Sequence, residues 1–199
     1  MKNLFNLFLL TSLVGFMVSC QNAPKGEKVV AEAAKKVAPA MASKTYKVDG
    51  TNSKISWIGT KVTGKHTGTL DINSGTVQTK DGKIVGGTFN IDMNSLACTD
   101  LEAGKGKEKL EGHLKSADFF NVAVNPKSTF TITKVDNGNV TGNLTLNGQT
   151  KSVTFPATIG MSDSGVTVTT NDFKINRTCL LYTSPSPRDA TLSRMPSSA

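Results

Sequence analysis

Between residues 45 and 178, apolar side chains recur at every second position in short runs, and turn-forming residues separate the runs. A period of two is the signature of a strand with one face buried and one face wet, so this stretch is restricted to antiparallel β-structure. The runs are Thr45 to Asp49, Lys54 to Val62, His66 to Ile72, Gly75 to Thr79 and Val85 to Met93, then Lys127 to Val135, Asn139 to Leu146 and Thr150 to Met161. Within them Phe89, Ile91 and Met93 share a face, as do Phe130 and Ile132, Val140, Leu144 and Leu146, and Val153, Phe155 and Ala157. Asn73-Ser74-Gly75, Asp81-Gly82, Asp136-Asn137-Gly138, Asn147-Gly148 and Ser162 to Gly165 predict the turns; an Asn-Gly or Asp-Gly pair is the strongest short hairpin signal. Val166 and Val168 have the opposite parity to Phe173 and Ile175, which predicts a bulge near Asn171-Asp172. Many short strands at near-regular spacing predict an all-β barrel or sandwich.

One stretch breaks the alternation. Thr99 and Glu102 have the spacing of a capping box, and Leu101, Leu110 and Leu114 form a sparse apolar face behind it. Gly104, Gly106 and Gly112 keep the predicted helix short and irregular. The adjacent pair Phe119-Phe120 reads as a plug that turns back onto the core.

Both ends read as something other than this domain. Lys2, the apolar run Leu4 to Val18 and the terminal Ser19-Cys20 predict a signal peptide over 1–19, with Cys20 resembling a bacterial lipoprotein cleavage and acylation site. Several acyl chains on Cys20 give a stable membrane anchor. Residues 20–44, rich in Ala, Lys and Val and without an aromatic residue, then read as a flexible tether. From Cys179 onward the alternation stops and Ser and Pro take over. Cys179-Leu-Leu-Tyr-Thr-Ser184 and Arg194-Met-Pro-Ser-Ser-Ala199 resemble translated pieces of a sequencing-library adapter. Residues 179–199 are therefore expected to be a non-native, extended and unpacked tail on a domain of residues 45–178.

Charge excludes a nucleic-acid binder. The whole chain is +8, but residues 45–178 carry only +3, with the rest of the excess in the two ends. Catalytic and metal chemistry leave no recognisable pattern. His66 and His113, the two histidines, fall in different elements without an acidic cluster beside either, so no metal site is expected. No Gly-x-Ser-x-Gly elbow and no phosphate-cradling loop occurs. Cys98, with Cys20 assigned to lipid and Cys179 to the tail, is left as a small buried hydrophobe.

Three blocks carry a family resemblance: His113-Leu-Lys-Ser-Ala-Asp-Phe-Phe-Asn121, Lys127-Ser-Thr-Phe-Thr-Ile132 and Asn139-Val-Thr-Gly-Asn-Leu-Thr-Leu-Asn-Gly148. Together with Tyr46-Lys-Val-Asp49 and Ser53-Lys-Ile-Ser-Trp57, they resemble the YceI-like family. The resemblance implies a lipocalin-like antiparallel β-barrel with one short helix, here with its last strands missing. It also implies a non-enzymatic role, in which the interior holds an isoprenoid lipid such as a quinone or polyprenyl chain, with no cofactor. The apolar cavity lining is then expected from Trp57, Phe89, Ile91, Leu114, Phe119, Phe120, Phe130, Leu144 and Phe155. Glu111-Gly112 stand where the family often has Arg-Asp. The partners implied are the isoprenoid or quinone lipid and a membrane reached through Cys20, with a homodimer compatible and no nucleic acid. The expected place is the periplasmic side of the outer membrane, with the cell surface as an alternative. The rival reading is a structural or stress-response lipoprotein whose barrel is filled by side chains.

Overall fold

The structure is a computed structural model and describes residues 26–61, 64–175 and Leu180. Eleven strands and one helix follow in order among the described residues. β1 (Glu27–Val29), β2 (Glu32–Ala33), β3 (Lys44–Lys47) and β4 (Lys54–Lys61) precede the two long strands β5 (Gly64–Lys80) and β6 (Lys83–Cys98). The helix α1 (Lys107–Lys115) leads to β7 (Lys127–Asp136), β8 (Asn139–Leu146), β9 (Gln149–Met161), β10 (Val166–Thr170) and β11 (Phe173–Ile175). An antiparallel path runs β10-β9-β8-β7-β6-β5-β3, with β4 also paired to β5. The fold is all-β with one short helix, as the alternation predicts.

Side chains from β5 (Val77), β6 (Ile84), β7 (Ile132), β8 (Val140) and β9 (Val153 and Phe155) meet in one buried cluster. Five successive strands reach a common point only if the sheet coils about it, which is the barrel-like curvature. Among the described residues no strand pairing closes the ring. Its outer strands approach at one end, where the Lys44 ammonium donates to the Asp163 carbonyl at 3.0 Å.

The predicted tight turns form. Asp81-Gly82, Asn137-Gly138 and Asn147-Gly148 all have positive φ at both residues, which is the type I′ geometry that matches strand twist. Asn73-Ser74-Gly75 does not. The two runs predicted on either side of it are one strand, β5, whose first half pairs with β4 and whose second half pairs with β3. The extra residues are absorbed as register shifts between Thr69 and Asp71 and between Ile72 and Ser74. A Cβ on Gly75 would collide with the Thr88 carbonyl, so glycine serves a close strand approach there, not a turn.

The helix also starts later than its capping-box signal. Thr99 Oγ1 is engaged with Thr67 Oγ1 at 3.2 Å and Glu102 with Lys105 at 2.7 Å. Helical structure begins after Gly106, itself in the left-handed region.

The expected tether is not free over its described part. β1 runs parallel to β11, β2 pairs with β9, and Val29 lies in the buried cluster with Val153 and Phe155. The Lys35 backbone exchanges two hydrogen bonds with the Asn143 side chain, at 2.9 and 2.7 Å. The physical reason is Val29 and Ala31, whose side chains pack into the same cluster while the backbone pairs with β9 and β11. The signal segment 1–19, Cys20 and residues 21–25 lie outside the described residues, as does the tail 179–199 except for Leu180. That residue is helical and 1% exposed, which departs from the expected extended, unpacked chain. Burying a leucine side chain is worth roughly 1.5–3 kcal/mol, enough to draw it inward.

Candidate functional site: two apolar clusters and a polar triad

Six of the nine predicted lining residues fall into two interior clusters. Phe89, Phe130, Leu144 and Phe155 belong to the cluster around Val153. Ile91 and Phe120 belong to a second cluster, with Met93 and Val122 at its centre. The face shared by Phe89, Ile91 and Met93 is as the alternation predicts, but it spans both clusters. Trp57, Leu114 and Phe119 are half-buried and are not members of either.

The first cluster contains a continuous aromatic series. Phe89 and Phe130 have ring centroids 6.4 Å apart, Phe130 and Phe155 5.3 Å, and Phe155 and Phe173 4.5 Å with near-parallel rings. The series crosses β6, β7, β9 and β11. Gly142 makes room for it, because a Cβ there would strike the Phe130 ring. Phe173 and Val29 join this interior without a sequence signal for it. The pairing of β1 with β11 brings them in, and no local pattern encodes a parallel contact between segments this far apart in sequence.

The second cluster sits beneath the helix exit. Phe119 and Phe120 meet edge-on at 4.6 Å, and His113 packs against Phe119 at 6.0 Å. Asn121 takes a left-handed conformation that turns the chain back and buries Val122, the plug geometry the sequence suggests. An open cleft of about 370 Å³ lies at the bend of β5, lined by Lys47, Asn73, Ser74, Thr88 and Asn90 among others. Its lining mixes polar side chains with aliphatic carbon, Val48 included, and none of the predicted lining residues borders it.

Trp57 has a different task. Its indole lies over Gly68, where a Cβ would collide with it, and its Nε1 donates to the Thr69 carbonyl at 3.3 Å.

Next to Gly68 the structure overturns one sequence reading. His66 does have acidic company. Pairing of Gly68 with Cys98 sets His66, two residues before Gly68, across from Asp100, two residues after Cys98. His66 Nδ1 donates to Asp100 Oδ2 at 3.0 Å, and the Cys98 thiol donates to Asp100 Oδ1 at 3.1 Å. Thr67 N–H also donates to Asp100 Oδ1, at 2.8 Å. These bonds hold the Asp100 carboxyl well below the usual carboxylate range, the Thr67 N–H most of all, then the Cys98 thiol. A depressed carboxyl pKa stabilises the fold above the ordinary value near 3.8, and that contribution is lost as acid protonates the folded group. Cys98 is 1% exposed, as expected, but its thiol is polar-partnered, and its N–H donates to Glu111 Oε1 at 2.7 Å.

Comparison with known proteins completes the description. The profile of the YceI-like domain matches residues 46–184. A UPF0312 protein of Pseudomonas aeruginosa is 54% identical over 78 residues, 37% of this chain and 37% of that protein. Protein YceI of Escherichia coli is 43% identical over 79 residues, 37% of this chain and 39% of that protein. The matched stretch thus spans well under half the length of these relatives. Among solved structures, Burkholderia cenocepacia BcnA is 23% identical, covering 61% of this chain and 76% of that one, with a TM-score of 0.47. A Campylobacter jejuni YceI protein is 20% identical, covering 95% and 91%, with a TM-score of 0.41.

Proposed function

We propose, from the premise that this chain belongs to the YceI-like domain family, that it is a non-enzymatic binding protein for an isoprenoid lipid, a quinone or polyprenyl chain, held in the interior of the coiled sheet. The observation that carries this reading is the aromatic series Phe89, Phe130, Phe155 and Phe173, which provides an apolar wall across four strands. An isoprenoid chain is apolar throughout, and each buried CH₂ contributes roughly 0.8 kcal/mol, so such a wall binds without a charged anchor. No cofactor is needed for this role.

The test is organic extraction of the purified chain followed by mass spectrometry, and readdition of a polyprenyl quinone to the extracted protein. An apolar molecule near one per chain is the expected result. Phe89→Asp, which sets a carboxylate against this wall, is expected to lower bound lipid by at least about ten-fold, since an unpaired buried charge costs several kcal/mol. An extracted protein that neither carries nor takes up the quinone overturns the reading.

A filled interior with no ligand is the second reading. Val29 favours it, because that residue occupies the same cluster as Phe155 and competes with a guest chain for the wall. The extraction separates the two.

Membrane attachment through Cys20 on the periplasmic side of the outer membrane belongs to the same proposal, supported by the apolar run ending at Ser19-Cys20. Cys20→Ala is expected to move the protein from the membrane pellet to the soluble periplasmic fraction. Retention in the pellet with continued palmitate labelling contradicts the anchor.

A further inference from the structure

We propose that His66, Cys98 and Asp100 form a zinc-binding site at the end of the β5–β6 pair. One nitrogen, one sulfur and one carboxylate oxygen from these residues lie within 4.8 Å of one another. A tetrahedral zinc ion, at about 2.0 Å from nitrogen or oxygen and 2.3 Å from sulfur, sets such ligands about 3.3–3.5 Å apart. Asp100 spans the other two donors with its two oxygens, Oδ2 at 3.0 Å from His66 Nδ1 and Oδ1 at 3.1 Å from Cys98 Sγ, so either oxygen lies close to that spacing from one partner. Small side-chain rotations open the cluster around an ion.

The three donors are held, not gathered from mobile loops. His66 and Cys98 stand on paired strands whose register is set by Gly68 opposite Cys98. Asp100 follows directly and is pinned by Thr67 N–H at 2.8 Å, the kind of outer hydrogen bond that orients a ligating carboxylate. Cys98 N–H is fixed in turn by Glu111 Oε1 at 2.7 Å. The cluster is half open: the Cys98 side chain is buried, while those of His66 and Asp100 are 25% and 32% exposed. An ion therefore enters from the solvent side, and water completes its fourth position.

The mixed sulfur, nitrogen and oxygen set selects zinc over calcium or magnesium, which take oxygen alone. Charge balances in the bound state. Zinc replaces the proton on the Cys98 thiol, which leaves to solvent, and takes the place of the His66 Nδ1 proton, which moves to Nε2. Imidazole binds neutral, and one thiolate plus one carboxylate offset the double positive charge. This site lies outside the two apolar clusters and stands whether or not the interior binds lipid.

The experiment uses the full chain with Cys20 and Cys179 replaced by Ser, so that Cys98 is its one thiol. Cobalt(II) is added as a spectroscopic probe and zinc(II) by calorimetric titration. The expected results are one ion per chain, a thiolate-to-cobalt charge-transfer band, and release of about one proton per zinc near neutral pH. Cys98→Ser is expected to remove the band, and His66→Gln and Asp100→Asn to weaken zinc binding at least ten-fold, with circular dichroism reporting that each variant folds. The spectrum of the unsubstituted site needs no folded variant. A cobalt complex without the charge-transfer band, or zinc affinity within two-fold in all three variants, means adventitious surface binding and overturns the proposal.

Discussion

Val153→Asp is expected to leave most of the chain unfolded at neutral pH. Val153 is 1% exposed and belongs to the larger cluster, with side chains from β5, β6, β7, β8 and β9. The substitution removes the burial of a valine, about 1.5–3 kcal/mol. It also sets a carboxyl among apolar side chains, at a further cost of about 1–3 kcal/mol even after the group takes up a proton. The sum is comparable with the whole stability of a small domain, roughly 5–15 kcal/mol. The sign with pH is specific. Burial raises the carboxyl's folded pKa, so destabilisation is largest above that value and shrinks as pH falls toward the unfolded value. A urea midpoint that drops steeply at neutral pH and partly recovers in acid is the expected pattern. An unchanged midpoint would place Val153 outside the core.

The alternation that buries Val153 and Phe155 is legible in the sequence because it is local: each strand declares its inner face through parity alone. The three Asn-Gly and Asp-Gly turns are legible for a similar reason, since positive φ at two successive residues restricts the residue types. The Asn73-Ser74-Gly75 segment shows where this stops. Glycine satisfies a turn and a close strand approach equally well, and only the partner strand, with its Thr88 carbonyl against Gly75, decides between them.

The same bulges hid the polar triad. The β5–β6 hairpin starts with Lys80 opposite Lys83, and an unbulged continuation would set His66 opposite Ala97. The register shifts along β5 move its partner to Asp100 and bring Cys98 beside it. A cluster separated by 34 residues, whose register depends on irregularities that sequence parity does not count, has no local signature. The parallel contact between β1 and β11 is invisible for the same reason. Composition made residues 27–33 look like solvated linker, whereas the edge they cover is produced by strands more than a hundred residues later.

Phe155→Ala is expected to destabilise the chain by about 3–5 kcal/mol, the range for removing a buried ring and leaving a cavity behind. Phe155 is the hinge of the aromatic series. It stacks on Phe173 at 4.5 Å and reaches Phe130 at 5.3 Å, so its loss strands both neighbours. Phe173 belongs to β11, which among the described residues pairs with β1 alone. Removing Phe155 therefore also loosens the segment that carries Val29 into the core. Lipid changes the size of this effect in a way that bears on function. If the interior is filled by side chains, the cavity stays empty and the full loss appears in denaturant melts, with or without added quinone. If an isoprenoid chain lies against the wall, its branched methyl groups enter the vacated space. Added quinone then restores part of the lost stability, because a ligand that binds only the folded state raises its stability by mass action. Melts of Phe155→Ala with and without quinone, set beside the same pair for the unsubstituted chain, measure that difference. A loss below about 1 kcal/mol in the absence of ligand would mean that Phe155 packs loosely and that the aromatic series is not the core it is taken to be.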